Sequence, residues 1–308
     1  MRPSYEETLA ALCETDPRVV VMTAESRSAI RGLPTRLGPR FIDVGISEQA
    51  MLGMAAGLAL RGRVPVCHAL APFLTLRAYE FIRTDLGIAG LSAILVGSVP
   101  GFLSGANGPT HQSLDDLAVM RPIPGMRVVW PADVEELCAC MPELVATPGL
   151  AYVRYNTSEP RVAHRPFELG VAEELRSGDG IALVTAGLLV GEALDAATLL
   201  EARGHSIRVV NLRSLAPIDS DAIVRAARAC RLVVTLEDHF LAGGLFTIVA
   251  ETLVTQRVST RVVPIGLDRR WFEPVPFPCV LACEGFDGPG IAARVLAALE
   301  PEGGPCRD

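Results

Sequence analysis

Short runs of β-branched and other apolar residues alternate along the first half of the chain with longer stretches rich in Ala and Leu. Uninterrupted apolar runs are typical of strands buried on both faces, and the longer stretches have the length of helices. The alternation therefore predicts a parallel sheet covered by helices on both faces. The predicted strands are 19–24, 64–70, 91–98 and 126–132, and the predicted helices are 4–14, 47–61, 73–87 and 133–145.

The same alternation resumes after segment 154–170, which is polar, contains prolines and has no periodicity. Such a segment is typical of an interdomain linker. We therefore predict two α/β domains with largely parallel sheets flanked by helices, at 1–160 and 171–308, joined by a linker at 161–170. The predicted elements of the second domain are strands 180–187, 206–212, 231–238 and 261–267, and helices 189–204, the stretch after 217–221, and 288–300.

Composition limits the classes of function. Half of the 308 residues are hydrophobic and 20% are charged, which is enough apolar material for two buried cores and excludes general disorder. The formal net charge is −7 and the charges are interspersed, so the chain lacks the basic stripe that nucleic acid or an anionic membrane requires. The N-terminus lacks the features of a signal peptide and no apolar run reaches the length of a membrane span, which predicts a cytoplasmic protein.

The eight cysteines fall mostly inside apolar segments, where a free thiol behaves as a small hydrophobic side chain. Cys138 with Cys140, and Cys279 with Cys283, could be read as metal-binding pairs, but no His or second Cys pair lies at a zinc-finger spacing from them. We predict buried, reduced thiols and no metal ligands in this chain. The remaining cysteines are Cys13, Cys67, Cys230 and Cys306.

The stretch DVGISEQ at 43–49 contains the first candidate for chemistry, Glu48. An acid in the first turn of a helix is stabilised by the helix dipole by about 0.3–1 kcal/mol, with Ser47 or Asp43 as the cap. That structural interpretation is the usual one for a lone Glu. Its place at the carboxyl end of a strand favours a ligand site instead, because α/β sheets bind ligands at that edge.

His111 is the second candidate and lies in an irregular loop with Gly105 and Gly108. An isolated His is more often a hydrogen-bonded structural residue than a catalyst. A His in a glycine-containing loop is a better functional candidate, because connecting loops carry sites.

The third candidate is the stretch APFLTLRAYEFIRTDLG at 71–87. Phe73 with Leu76, and Leu74 with Phe81, fall at helical spacings. This pattern predicts an amphipathic helix whose apolar face joins the core for most of the stretch.

Several blocks, in order, resemble a known family. DVGISEQ, FLTLRAYEFIR and GPTHQSLDDLAVMRPIPGMRVVWPAD resemble the pyrimidine-binding domain of transketolase and deoxyxylulose phosphate synthase. LVTAG, VVNLRSLAPID, TLEDHFLAGGL and GIAARVLAAL are similar to the transketolase C-terminal domain. The resemblance covers nearly the whole chain, and three ordered blocks followed by the expected next domain are more specific than any one motif.

The resemblance implies thiamine diphosphate as the cofactor, which carries the difficult chemistry while the protein orients and tunes it. Glu48 is then the carboxylate that hydrogen-bonds N1′ of the aminopyrimidine and so promotes deprotonation of C2. Phe73 and Tyr79 resemble aromatic members of the wall around the pyrimidine, whereas Leu76 stands where transketolase has another aromatic residue. Glu25 lies where the family often has an acid near the cofactor.

The resemblance also assigns residues to the substrate. His111 matches the histidine near the thiazolium, where it could donate a hydrogen bond to a developing alkoxide. Arg154 resembles the arginine that holds a sugar phosphate, although a solvated linker arginine is an equal alternative. Arg77 and Asn107 are placed with the substrate too, Asn107 replacing the acid that the family has just before GPTHQ.

Two departures from the family bear on the function. The diphosphate-binding domain that carries a GDG motif is absent, and the GDG at 178–180 precedes a strand instead of following one. This predicts the C-terminal subunit of a split transketolase, with a second chain supplying most contacts to Mg²⁺ and the diphosphate, in an α2β2 assembly. Val99 and Pro100 stand where transketolase has His-Asp, so a specialised acceptor fits at least as well as the usual pentose and hexose phosphates.

Three functions remain open on the sequence. The first is a two-chain transketolase that moves a two-carbon ketol unit from a ketose or ketose phosphate to an aldehyde, in carbohydrate metabolism or a biosynthetic pathway. The second is the β subunit of a 2-oxoacid dehydrogenase, which GPTHQ and FLTLRAYEFIR disfavour. The third is a non-catalytic paralogue, against which the retained Glu48 and His111 argue.

Overall fold

The computed structural model describes residues 4–277 and 279–300, which build two helix-flanked sheets. The strands of the first half are β1 (Val19–Thr23), β2 (Phe41–Asp43), β3 (Val64–Leu70), β4 (Ala93–Ser98), β5 (Arg127–Val129) and β6 (Leu150–Arg154). Those of the second half are β7 (Glu173–Arg176), β8 (Ile181–Thr185), β9 (Ile207–Asn211), β10 (Ser214–Ala216), β11 (Leu232–Phe240) and β12 (Arg261–Leu267). The two α/β domains with largely parallel sheets predicted from the sequence are confirmed.

The first sheet has the strand order β10-β5-β6-β4-β3-β1-β2, and the second has the order β12-β11-β8-β9-β7. All neighbouring strands run parallel except two antiparallel pairs, β10 with β5 and β7 with β9. All five residues of β1 are buried, as expected of a strand covered by helices on both faces. Because β10 belongs to the second half of the chain, the first sheet is completed by a strand from beyond the linker.

Helices cover both sheets. The helices of the first half are α1 (Tyr5–Thr15), α2 (Leu33–Leu37), α3 (Glu48–Leu60), α4 (Tyr79–Phe81), α5 (Asp116–Met120) and α6 (Val134–Ala146). Those of the second half are α7 (Val190–Glu201), α8 (Ser220–Ala229), α9 (Leu245–Thr255), α10 (Cys279–Glu284) and α11 (Gly288–Leu299). Within the described ranges, none of these helices has the length and apolar character needed to cross a membrane.

The predicted helix at 73–87 is interrupted. Phe73–Arg77 and Ile82–Ile88 are π-helical and flank the single turn α4. The i→i+5 bonding of a π-helix changes the rotation per residue, so positions three or four apart no longer share one face. Leu74 is buried, but Leu76 is 44% exposed and Phe81 is 39% exposed, so the predicted core face is wrong for these two residues.

Three groups of buried apolar side chains hold the layers together. One includes Leu9 and packs on one face of the first sheet. A second packs on the second sheet but also takes in Phe102 and Leu114 from the first half. The third contains residues of both halves, such as Trp130 and Val184. The two halves are therefore joined by shared apolar packing as well as by the chain between them.

None of the described cysteines forms a disulfide. Cys13, Cys67, Cys140 and Cys230 are buried, in agreement with the prediction. Cys279 and Cys283 are exposed, so the predicted burial is wrong for this pair, because α10 lies at the surface of the second half. Cys306 lies outside the described residues.

Residues 155–172, between β6 and β7, carry no helix or strand, and His164 connects this segment to both halves. Its Nε2 lies 2.7 Å from Asp133 at the start of α6, and its Nδ1 lies 2.6 Å from Glu173 in β7. Burial alone would lower the pKa of His164, but the hydrogen bonds to Asp133 and Glu173, with the nearby Glu136 charge, outweigh it and raise the pKa to about 10. A charged imidazolium therefore bridges two carboxylates.

The raised pKa of His164 predicts a loss of stability in mild alkali. The contribution is fully present below the ordinary value of 6.5 and is lost as the pH rises through about 10, because the folded state then gives up a proton that it binds more tightly than the unfolded chain. We expect the free energy of unfolding by urea to decline over this window, and His164→Gln to remove that part of the decline.

His205→Gln is the matched control, because the His205 side chain has no hydrogen-bond partner among the residues that the structure describes. Its profile should follow that of the unmodified protein. Identical pH profiles for His164→Gln and His205→Gln would contradict the proposed bridge.

Candidate active site

A cavity of about 930 Å³ opens at one edge of the first sheet. Its lining comes from the segments that follow β1, β2, β3 and β4, so the cavity lies at the carboxyl ends of parallel strands. This is the edge at which open α/β sheets bind ligands. Four residues predicted from the sequence line it together: Glu25, Glu48, Phe73 and His111.

Glu48 begins α3 and is only 2% exposed. The predicted capping alternatives are not formed: Ser47 makes no side-chain cap bond, and the carboxylate of Asp43 accepts instead from the backbone N–H of Gly45 at 2.8 Å. Oε2 of Glu48 accepts a hydrogen bond from Nη1 of Arg77 at 3.1 Å. Within the described residues no hydrogen bond reaches its other oxygen, Oε1, so this buried carboxylate keeps an acceptor for a further donor.

A chain of contacts leads from Glu48 through Arg77 and Phe73 to His111. The guanidinium of Arg77 lies 4.0 Å from the centroid of the Phe73 ring, a cation–π arrangement. The Phe73 ring meets the His111 imidazole edge to face, with centroids 5.0 Å apart. The π-helical turn after β3 therefore brings an aromatic face and a cation to the same cavity as Glu48.

The backbone is strained in two turns at this edge of the first sheet. Glu25 has φ 56°, and Val99, after β4, has φ 57°. Positive φ is uncommon for Glu and is an outlier for a β-branched residue such as Val. The two turns meet where the Ser26 and Ser98 hydroxyls lie 3.3 Å apart. Conformations of this kind concentrate at functional sites, where the surrounding structure maintains them.

His111 is carried by the loop that follows Val99. Gly101–Asn107 forms a 3₁₀ segment, and the backbone N–H of His111 donates to the carbonyl of Gly108 at 2.9 Å. Nδ1 of His111 lies 2.9 Å from the Thr110 hydroxyl, which leaves Nε2 without a partner among the described residues. A ring nitrogen at the cavity wall can therefore donate to or accept from a bound molecule.

Four predicted residues do not line the cavity: Asn107, Tyr79, Arg77 and Arg154. Asn107 is exposed at the end of the 3₁₀ segment. Tyr79 is partly buried and packs against the shared core instead of facing the cavity. Arg77 reaches the site only through Glu48 and Phe73. The structure thus brings together half of the predicted set and holds Arg77 directly behind it.

Arg154 is held away from the cavity by buried partners. It ends β6 and is 1% exposed, so the alternative of a solvated linker arginine is wrong. Its guanidinium makes two hydrogen bonds to Asp116, at 2.8 and 2.5 Å, and one to Asp238 at 2.8 Å. The pKa of Arg154 is lowered by burial but raised overall by these two carboxylates. A guanidinium committed in this way does not support the predicted phosphate contact.

Other residues of the cavity were not predicted. Ser26, Arg27, Ser28 and Arg31 follow β1, and Asp43 ends β2. Arg27 pairs with Asp43, whereas the exposed side chain of Arg31 has no partner among the described residues. Their position just after two strands was the available signal, because this edge of a parallel sheet is where ligands bind.

The GDG at 178–180 does not line the cavity. It precedes β8 as predicted, but it also follows β7, so the expectation that it does not follow a strand is wrong, because the short strand β7 gives no apolar run in the sequence. Among the described residues, one group could hold a metal ion: Glu136, His164 and Glu173. Glu136 already pairs with Arg213, and His164 already bridges two carboxylates. This group belongs to the connection between the halves and not to the cavity.

Two family models match the chain. Residues 1–162 match the pyrimidine binding domain of transketolase, and residues 170–291 match the transketolase C-terminal domain. A 6-deoxy-6-sulfo-D-fructose transketolase subunit of Clostridium sp. (strain MSTE9) is 35% identical over 82% of this chain and 80% of its own length. A 1-deoxy-D-xylulose-5-phosphate synthase of Geobacter sulfurreducens is 33% identical over 98% of the chain, which spans 48% of that enzyme.

A solved structure described as a split gene transketolase, inactive beta4 tetramer, is also similar. Its TM-score is 0.86, its sequence is 32% identical, and the match covers 96% of each chain. The similarity therefore extends over both sheets and over the cavity between β1 and β4.

Proposed function

The chain belongs to the transketolase family, and we propose that it is the C-terminal subunit of a two-chain transketolase that uses thiamine diphosphate. The reaction is transfer of a two-carbon ketol unit from a ketose or ketose phosphate to an aldehyde. The observation that carries the proposal is the meeting of a buried carboxylate, Glu48, with Phe73 and His111 in one cavity. These residues match three motifs that lie far apart in the sequence.

The cavity suits the aminopyrimidine end of the cofactor. The buried side chain of Glu48 offers an acceptor oxygen, Oε1, that no described group uses, and a protonated ring nitrogen would donate to it. The Phe73 ring supplies an aromatic wall beside that carboxylate. When bound, thiamine diphosphate would supply the carbon nucleophile and electron sink that ketol transfer requires. Glu48, Phe73 and Glu25 would hold it on this side.

With the cofactor bound, residues of this chain would hold or donate protons at the reacting groups. Glu48 would hold a proton at a ring nitrogen of the pyrimidine, and its burial would strengthen that hydrogen bond. Nε2 of His111 would donate to the oxygen of the reacting carbonyl, where negative charge develops. Arg77 would fix the Glu48 carboxylate from behind, since its guanidinium is held in turn by the Phe73 face.

The substrate is proposed to be an anionic sugar. The relative from Clostridium is described as acting on a sulfonated fructose, and the synthases are described as forming a sugar phosphate. In place of Arg154, the cavity offers Arg31, which has no partner among the described residues, and Arg27, which pairs with Asp43 through Nε. Their guanidinium groups suit phosphate or sulfonate, since both anions accept bidentate hydrogen bonds.

A second chain is proposed to complete the site and to provide most contacts to the diphosphate and Mg²⁺. The cavity opens at the surface, and the relative from Clostridium is described as a subunit. The similar solved structure is described as an inactive tetramer of β chains. An α2β2 assembly in the cytoplasm is the arrangement that we propose.

Reconstitution tests the proposal. Neither this chain nor a diphosphate-binding chain from the same genome is expected to turn over ketoses alone, and the mixture with thiamine diphosphate and Mg²⁺ is expected to do so. Product formation is measured with a panel of ketose phosphates and sulfonated ketoses as donors. Turnover by this chain alone would contradict the two-chain proposal.

Adding pyruvate and a lipoyl protein to the panel separates the alternatives. Condensation of pyruvate with glyceraldehyde 3-phosphate would indicate the synthase reaction, and acyl transfer to a lipoyl protein would indicate the 2-oxoacid dehydrogenase β subunit. Cofactor binding by the mixture without any of these reactions would favour a non-catalytic paralogue.

A further inference from the structure

The loop that carries His111 is closed at its base by an ion-pair network between the two halves. The backbone N–H of Gly101 donates to the carbonyl of Ser113 at 2.9 Å, which joins the two ends of the loop. Arg154 also reaches the Ser113 carbonyl, at 3.5 Å, while its other donors bind Asp116 and Asp238. The guanidinium therefore links the loop base to the second half of the chain.

Asp238 joins the network from β11 of the second half. Its Oδ1 accepts from Arg154, and its Oδ2 accepts from the backbone N–H of Phe102 at 3.3 Å. One carboxylate thus holds both the cation and the first turn of the loop. Since each oxygen serves a different donor, an amide cannot replace it: one end of an amide accepts, but the other carries N–H groups that would face a donor.

Further contacts fasten the same loop to the second half. The Phe102 ring packs edge to face on Phe272 and Phe286, with centroids 5.4 and 4.8 Å away. The side-chain amide of Gln112, next to His111, donates to the Phe272 carbonyl at 2.9 Å. The carbonyl of Gly105 accepts from the Val275 N–H at 3.1 Å. The loop is therefore anchored along its length to a domain that does not line the cavity.

Gly101 packs directly against the Asp238 carboxylate. It has φ 56°, and a Cβ built on it would lie 1.8 Å from Oδ2 of Asp238. The backbone and the carboxylate are thus in direct contact. The His111 ring packs on Phe73 and lies beside the Thr110 hydroxyl of its own loop, so its position at the cavity depends on how the loop base is held.

We propose that Asp238, in the second half of the chain, is a positioning residue for His111 and acts through Arg154 and the base of the 101–113 loop. The proposal rests on the function proposed above for His111. It assigns to the C-terminal domain a defined task in ketol transfer, namely holding the loop of the neighbouring domain in its working geometry.

Hydrogen–deuterium exchange of the isolated chain tests the positioning without any activity. In Asp238→Asn, the amides of 101–114 are expected to exchange at least about 10-fold faster, because a buried charge-assisted hydrogen bond is lost. Peptides from α3 are expected to be unchanged. Asp268→Asn, an exposed acid of the second half, is the matched control and should leave the loop unaffected. Unaltered exchange of the loop in Asp238→Asn would overturn the proposal.

A double-mutant cycle in the reconstituted enzyme tests whether Asp238 acts through His111. Burial is the main cause that raises the pKa of Asp238 to about 6, so the assay is run well above that pH. Asp238→Asn is expected to lower kcat about 10-fold to 100-fold, the range for a misplaced catalytic group. The cofactor concentration that gives half-maximal activity should change little. In the His111→Ala background the same substitution should change kcat by no more than about twofold.

Equal losses in the two backgrounds would assign Asp238 a general structural role and would overturn the proposal. If no variant and no parent complex turns over ketoses, the proposed function fails, while the exchange measurement still decides whether Asp238 holds the loop. Should Asp238→Asn not fold, Gln112→Met removes a second anchor of the same loop, and the same faster exchange and the same non-additivity with His111→Ala are expected.

Discussion

Replacing Glu48 with glutamine is expected to lower kcat of the assembled enzyme by about 10²–10⁴-fold, the usual effect of removing a positioned acid–base group. Glutamine has nearly the same shape and can still accept from Arg77, so the substitution removes the negative charge and little packing. The carboxylate is 2% exposed and begins α3 at the edge of the cavity. The expected loss of turnover is therefore due to the missing carboxylate, which would hold a proton at the cofactor ring.

Glu80→Gln is the matched control, because Glu80 is exposed on α4, close in sequence to Arg77. It should retain full turnover. Both variants should unfold at the same denaturant concentration as the unmodified chain. A Glu48→Gln enzyme with undiminished turnover would exclude the proposed role at the ring nitrogen.

Replacing Arg154 with leucine is expected to lower the free energy of unfolding by about 3–5 kcal/mol, the cost of breaking a buried ion pair by removing one partner. The guanidinium is 1% exposed and lies between the buried carboxylates of Asp116 and Asp238. Without it, two acids face each other in the interior. Burial already raises the pKa of Asp238 to about 6, even with Arg154 beside it, so both acids would take up protons more readily.

Arg121→Leu is the control for this measurement, because Arg121 pairs with the largely exposed Glu251 near the surface. Exposed pairs contribute about 0–1 kcal/mol, so this variant should unfold close to the unmodified protein in urea. An equally small effect for Arg154→Leu would mean that the buried network does not join the two halves.

The fold could be predicted from the sequence because most of its strands are marked by local runs of apolar residues. Strands buried on both faces read as continuous apolar runs, and the observed bounds of β3 and β12 are those expected from the pattern. The shortest strands gave no such signal. β10 has three residues, and its partner β5 lies on the other side of the linker, so nothing in its own sequence indicates the sheet that it joins.

The candidate site was predictable where motifs are compact and not where partners are distant. Glu48, Phe73 and His111 each sit in a short block, and the structure brings the three blocks to one cavity. The resemblance assigns Arg154 to the substrate, and its own sequence context does not reveal its partners, because Asp116 and Asp238 are 38 and 84 residues away. Burial and pairing over such separations are set by the tertiary structure.

Tyr79 illustrates a second limit. A regular helix over 73–87 would place aromatic residues by a period of 3.6, but the segment is π-helical on both sides of α4. Phe73 consequently faces the cavity while Tyr79 packs on the core. Periodicity alone does not reveal this change of pitch.

The proposed function requires Glu48 of this chain to act on the pyrimidine of a cofactor shared with a second chain. It is tested most directly by the rate at which the C2 proton of bound thiamine diphosphate exchanges with deuterium, measured by quenched-flow NMR, which requires no knowledge of the sugar substrate. In the reconstituted complex, exchange is expected to be faster than in the free cofactor, and Glu48→Gln is expected to slow it by about 10²-fold or more. Equal exchange rates in the two complexes would show that Glu48 does not act on the pyrimidine.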